Sequence, residues 1–312
     1  TTGHRVLRLR PAHLSVFRLW RWTARLSVVR SYTVNNASAF TSLAAIDLDG
    51  TLFGHDGIVG PENHAALERL VAHGYGIVLA SGRHPRNMAA IAAELPMVSG
   101  IVACQGGEVC DRVRGRIFSQ EFMRPEDVAT VAGIGLHEGF GVIAYTEQGE
   151  LTPLDGPEVD RYRRITNAVI EPATPMAMAA ARVFKVMWIA SAERLDAFLA
   201  GGGCARCRPA AADSVRSHRE VFEYGPRGVT KATGTAVLAR EFGIAPAQVA
   251  AFGDADNDVP LFDWAGFSVA MPDAQPEVRR RATVTAPGGS PESAFARGVD
   301  LLLTRTSSAS PK

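Results

Sequence analysis

The chain has 312 residues, 46% of them hydrophobic and 21% charged, the balance of a soluble globular protein with apolar material for one large core or two smaller ones. No run approaches the roughly 18 uninterrupted apolar residues of a membrane-spanning helix, so no integral membrane segment is expected. The net charge is +1, yet residues 1–41 hold seven Arg and no Lys, Asp or Glu, which leaves 26 basic against 32 acidic groups in the rest; so acidic a body argues against a nucleic-acid partner.

In chain order the basic arm, residues 1–41, comes first. It is Arg-rich and acid-free, with some transit-peptide character, and could meet a membrane surface or a polyanion. It lacks the apolar centre of a secretory signal and is read as a disordered extension. From residue 42, short apolar runs alternate with helical patterns. LAAI (43–46) ends at Asp47, GIVLA (76–80) at Ser81 and GIVAC (100–104) at Gln105. Residues 61–73 open with Pro61 and Glu62 and carry Leu67, Leu70 and Val71 on one face, which predicts a helix. Residues 121–216 break the alternation, with predicted helices at 125–138 and 192–200, strands at 141–146 and 182–190, and a glycine-rich loop at 201–212. Then follow a helix at 230–242, a strand at 249–253 ending at Asp254, a strand at 266–271, a helix at 275–281 and a short run at 282–286. Residues 305–312 read as a disordered tail.

Most of these runs are apolar throughout, as in strands buried on both faces. The fold class is therefore α/β: a Rossmann-like parallel sheet with helices on both faces (42–120 and 217–304), with an α+β unit inserted at 121–216.

In such sheets ligands sit beyond the carboxyl ends of the strands. Those ends carry the polar residues: Asp47 and Asp49, Ser81 and Arg83, and Asp254 with Asn257 and Asp258. Several carboxylates in one place repel one another unless a cation compensates, and a small set of oxygen ligands suits Mg2+ shared with a substrate phosphate. Ser81, Arg83 and Lys231 can donate to that phosphate, Gly50 lets backbone amides approach it, and Thr51 adds a hydroxyl. Lys231 is one of three Lys among 33 basic residues. Where Arg is the habit, a Lys suggests that a compact ammonium is wanted.

With these residues in order, the chain resembles the haloacid dehalogenase-like (HAD) hydrolases, in particular the Cof-type phosphatases with a large α/β cap. DLDGT (47–51), SGR (81–83), Lys231 and GDADND (253–258), followed by FSVAM (267–271), match the family's four motifs and their sequel across residues 43–286. The resemblance implies a phosphoric monoester hydrolase acting on small phosphorylated metabolites, such as sugar phosphates, through an aspartyl-phosphate. Asp47 would be the nucleophile and Asp49 the acid and base. Asp47, the Asp49 carbonyl and Asp254 would hold Mg2+, with Asp258 in support. Thr51, Ser81, Gly82, Arg83, Asn257 and Lys231 would surround the phosphate. Residues 121–216 would be the cap.

The chain departs from the family pattern at Gln105, where Asn is usual, at KATG (231–234) and at MPDA (271–274). None of these removes a catalytic group, but Gln105 alters the pocket floor. Two other readings share the scaffold: a mutase of the phosphomannomutase type, and a non-catalytic sugar-phosphate sensor, for which an intact Asp49 would be superfluous. Cys204 and Cys207 form a Cys-x-x-Cys without the second pair a structural zinc site needs. A cytoplasmic monomer or homodimer is expected.

Overall fold

The computed structural model describes residues 40–54, 57–166, 168–203 and 209–308. Most of the Arg-rich arm, together with Cys204 and Cys207, lies outside the described residues. Phe40 and Thr41, expected to belong to the arm, are tied to the body. Phe40 packs edge-on against Phe242, with centroids 5.8 Å apart, and the Thr41 amide donates to the Gly74 carbonyl at 2.9 Å.

The first part of the chain runs β1 (Ser42–Ile46), α1 (Pro61–Ala72), β2 (Tyr75–Ala80), α2 (Pro85–Ala93), β3 (Val98–Ala103), β4 (Glu108–Asp111) and β5 (Ile117–Gln120). The inserted part runs α3 (Pro125–His137), β6 (Gly141–Thr146), β7 (Glu150–Thr152), α4 (Pro157–Thr166), β8 (Ile170–Pro172), α5 (Pro175–Ala180), β9 (Val183–Ile189), α6 (Ala192–Ala200), β10 (Ala212–His218) and β11 (Val221–Pro226). The last part runs α7 (Lys231–Glu241), β12 (Val249–Gly253), α8 (Val259–Trp264), β13 (Phe267–Ala270), α9 (Pro276–Arg279), β14 (Val284–Thr285) and α10 (Ala294–Ser308). Proline begins α1, α2, α3, α5 and α9. At that position its fixed φ suits the helix and its missing N–H costs nothing.

Two sheets result. The eight-stranded sheet has the order β14-β13-β12-β1-β2-β3-β4-β5. Its pairs are parallel from β14 to β3, and the β4–β5 hairpin adds two antiparallel strands at one edge. The sequence reading has only the parallel strands, because EVCD and IFSQ are too short and too polar to stand out. Alternate residues of β1 enter opposite layers. Ala44 and Ile46 pack with Leu67 and Leu70 of α1, Met88 of α2 and Phe295 and Val299 of α10. Leu43 and Ala45 pack with Leu238 of α7, Leu261 and Phe262 of α8 and Val278 of α9. Helices thus cover both faces, as the unbroken apolar runs require.

The second sheet has the order β10-β11-β9-β6-β7-β8. Its β11 reaches Pro226, past the expected boundary at 216. One face packs Val142, Val186, Trp188 and Tyr224 against Val128 and Val131 of α3 and Phe198 of α6. Helix α10 continues to Ser308, so residues 305–308, read as tail, are helical.

Candidate active site

Strand register assembles the site. Ile46 is level with Phe252 of β12 on one side and with Leu79 of β2 on the other. The residues that follow, Asp47, Asp254 and Ser81, therefore emerge along one edge of the sheet. The Asp47 amide closes the gap by donating to the Phe252 carbonyl at 3.0 Å.

Four charged side chains converge there. One oxygen from each of Asp47, Asp254 and Asp258 lies within 4.8 Å of the others. Lys231, fully buried at the start of α7, donates to Asp47 Oδ1 at 2.6 Å and to Asp258 Oδ1 at 2.7 Å. An ammonium in the first turn of a helix opposes the helix dipole. Helix α7 tolerates it because the two carboxylates face it and because Thr230 and Thr233 cap the helix reciprocally. Burial disfavours the Lys231 ammonium, but Asp258 and Asp47 outweigh that and hold its pKa above the ordinary Lys value.

The carboxylates are less well compensated. Burial pushes Asp254 up to about 7, Asp258 adds to the rise, and Lys231 and Thr51 pull against it. Burial likewise raises Asp47 well above the usual range, against the pull of Lys231. Three acids, Asp47 and Asp258 buried and Asp254 partly so, are short of positive charge with one ammonium, and an all-oxygen set of this kind suits a hard divalent cation. The loop also keeps the space open. Gly50 has φ +81°, and a Cβ there would overlap the Asp254 carboxylate. Thr51 Oγ1 donates to Asp254 Oδ1 at 3.2 Å, and Asp258 Oδ2 accepts from the amides of Asp254 and Ala255 at 2.9 and 3.1 Å. The residues present therefore fit a divalent metal ion.

Gly50→Ala is expected to destabilise the fold by about 1–3 kcal/mol through left-handed strain and overlap, and to abolish any rise in melting temperature on adding Mg2+. Denaturant unfolding with and without the ion checks both. A second expectation concerns pH. With folded pKa values above the unfolded 3.8, Asp47 and Asp254 bind protons in the native state that the unfolded state has lost. Stability in EDTA should then fall as pH rises from about 4 to about 7, by at most about 1.4 kcal/mol per pH unit per group. The slope should weaken in Asp254→Asn, as read by melting temperature across that range.

The other expected residues sit nearby in separate contacts. The Asp49 carboxylate turns to Arg83, accepting from Nε at 2.8 Å and from Nη2 at 2.5 Å. Ser81, almost fully buried, accepts at Oγ from the Arg83 amide at 3.3 Å. A Cβ on Gly82 would lie 2.6 Å from Gln105 Nε2. Asn257 Nδ2 donates to Gln105 Oε1 at 3.2 Å.

Gln105 is the joint that the sequence undervalues. Cys104 and Gln105 both have positive φ, 50° and 62°, a region that non-glycine residues enter at a cost. The Gln105 amide donates to the Ser81 carbonyl at 3.0 Å. Its Nε2 donates to Glu223 Oε2 of the second sheet at 3.2 Å. Glu223 also pairs with Lys185 at 3.0 Å, and both are buried. Lys185 falls within the strand expected at 182–190, whereas Glu223 lies outside every element expected from the sequence. A lone acid within VFEYGP gives no sign of its partner two strands earlier in the chain.

A parallel α/β sheet with an inserted α+β unit and an Asp-rich cluster at the strand ends is a setting suited to metal-assisted phosphoryl chemistry. A family model for haloacid dehalogenase-like hydrolases matches residues 44–290, and the chain belongs to that family as a phosphatase-type enzyme. It is 25% identical over 285 residues to the 5-amino-6-(5-phospho-D-ribitylamino)uracil phosphatase of Bacillus subtilis, covering 83% of this chain and 97% of that protein. It is 29% identical over 239 residues to the HMP-PP phosphatase of Serratia proteamaculans, covering 76% and 86%. Among solved structures, a haloacid dehalogenase-like hydrolase from Bacteroides thetaiotaomicron superposes with a TM-score of 0.71 at 24% identity, covering 84% of this chain and 99% of that one. A structure described as an HAD subclass IIB sugar phosphatase gives 0.73 at 19% identity, with the same coverage. Among the described residues, no helix is long and apolar enough to cross a membrane.

Proposed function

We propose that the protein is a Mg2+-dependent phosphatase that hydrolyses small phosphate monoesters through an aspartyl-phosphate on Asp47. The observation that carries this reading is the approach of the Asp47, Asp254 and Asp258 carboxylates to within 4.8 Å of one another beside Lys231. Asp47, Asp254 and the Asp49 carbonyl would hold the ion, with Asp258 behind them. When bound, the ion offsets the charge of the carboxylates and of the transferring phosphoryl group.

The chain's own groups would act in two steps. Asp47 attacks phosphorus as the ester P–O bond breaks, and Asp49 gives its proton to the departing oxygen. Asp49 then takes a proton from water as that water attacks phosphorus, which breaks the bond to Asp47 and releases phosphate. Arg83 holds both oxygens of the Asp49 carboxylate, so Asp49 exchanges this partner as it turns to a leaving group. Ser81, the Gly82 amide, Thr51, Asn257 and Lys231 would surround the phosphoryl oxygens. The inserted sheet would serve as a cap that excludes water. Cys104 and Cys110 are buried free thiols, in keeping with work in a reducing cytoplasm.

The test is phosphate release from a panel of monoesters, including a chromogenic aryl ester. Turnover that requires Mg2+ and stops with EDTA supports the reading; no turnover of any ester with Mg2+ present refutes it.

A further inference from the structure

From catalytic Lys231 a cavity of about 170 Å³ runs toward the second sheet, past Gln105 and Asn257 to Lys185, Glu223 and Asp213. With Lys231 and Asn257 at the phosphate as proposed above, this cavity would receive what lies beyond it. Its charges decide what can enter. Two cations line it, Lys231 and Lys185. Lys231 is held between Asp47 and Asp258. Lys185 is 3% exposed and held by Glu223 at 3.0 Å, with its ammonium 4.6 Å from the Tyr145 ring centroid. No lining cation among the described residues is therefore left over for a second anion, while Asp256 adds negative charge and Asp213, also in the lining, is already paired with Arg227 at 3.7 Å.

The hydrogen-bonding groups point the same way. Among the described residues, Asn257 Oδ1 is buried without a partner, which leaves an acceptor for a hydroxyl or amine. Glu223 already accepts from Lys185, Gln105 and Ser217. A buried carboxylate so placed repels an entering anion and accepts from an entering donor.

We infer that Glu223, opposed by Lys185, restricts the enzyme to monoesters whose leaving group is uncharged or cationic and rich in hydroxyl or amine donors, and that it rejects those with a second anionic group. This rests on the phosphatase reading above. Lys185 and Glu223 lie on neighbouring antiparallel strands, β9 and β11, so the pair is rigid and its charge balance is a fixed property of the cavity.

The experiment compares two esters of the same carbon skeleton, sorbitol 6-phosphate and 6-phosphogluconate, which differ by one carboxylate. Wild-type kcat/KM should favour the polyol ester by about tenfold or more, a discrimination that one unpaired buried charge readily supplies. Glu223→Gln removes the repelling charge and breaks the Lys185 ion pair, so it should shift the ratio toward 6-phosphogluconate by about tenfold. Lys185→Gln should shift it the other way. A purely structural role would lower both rates together and leave the ratio as it was. A wild-type preference for the anionic ester, or a ratio that stays the same in both variants, overturns the inference while phosphatase activity itself stands. Absence of all turnover in the wild type instead overturns the phosphatase reading, and this inference with it. Should one variant fail to fold, as judged by its melting curve, the wild-type ratio and the other variant still decide.

Discussion

Asp47→Asn is expected to lower kcat by at least about 10⁴-fold on every ester the enzyme accepts, because loss of the attacking atom cannot be made good by the rest of the site. The amide keeps the shape of the carboxylate but cannot form the covalent intermediate. The fold should survive. Lys231 keeps Asp258 at 2.7 Å, and removing one of three crowded acids relieves repulsion at Asp254. The melting temperature in EDTA should therefore stay near that of the wild type or rise. Initial rates with a chromogenic ester, measured alongside a melting curve, separate chemistry from folding. A variant that retains more than a few per cent of wild-type kcat would exclude Asp47 as nucleophile.

The second large effect is on stability. Lys231→Met removes the ammonium that, among the described residues, alone contacts the two buried carboxylates of Asp47 and Asp258, at 2.6 and 2.7 Å. Breaking a buried pair by removing one partner costs about 3–5 kcal/mol, since the remaining charge is left uncompensated. For a chain of this size that is a fall of roughly 10 °C in melting temperature. Mg2+ should recover part of it by neutralising the same oxygens, so the ion should stabilise this variant more than the wild type. Activity should be lost as well, since Lys231 no longer orients Asp47. Thermal unfolding with and without the ion reads the effect. A variant as stable as the wild type in EDTA would mean that the Lys231 pairing contributes little.

Much of this site is legible in the sequence, for a physical reason. Buried parallel strands read as unbroken apolar runs, and the first polar residue after each marks the sheet edge where ligands bind. Asp47, Ser81 and Asp254 are found that way, and the in-register ends of β1, β2 and β12 then bring them side by side. Lys231 stands out because Arg is the chain's usual cation. What escapes is whatever depends on pairing across distance. Glu223 has significance only through Lys185 on the adjacent strand and Gln105 in the turn between β3 and β4, contacts between residues 38 and 118 positions apart in the chain. Gln105 registers in the sequence only as a departure from a pattern, whereas its link to Glu223 makes it one of the contacts between the first part of the chain and the second sheet, alongside His84 with the Thr146 carbonyl. Strand β10, ADSVRSH, is polar and half-exposed, so periodicity alone does not separate it from the preceding loop. The β4–β5 hairpin is hidden for a similar reason, its four-residue strands being too short to carry a period.

The central claim is a covalent phosphoryl group on Asp47, and it is tested most directly by quenching the enzyme in acid during turnover of a Mg2+-supported substrate and mapping its peptides by mass spectrometry. A phosphoryl group on the peptide carrying Asp47, absent when substrate is omitted and absent in Asp47→Asn, is the predicted result. Steady phosphate release with that peptide unmodified, and with Asp47→Asn still active, would contradict the account.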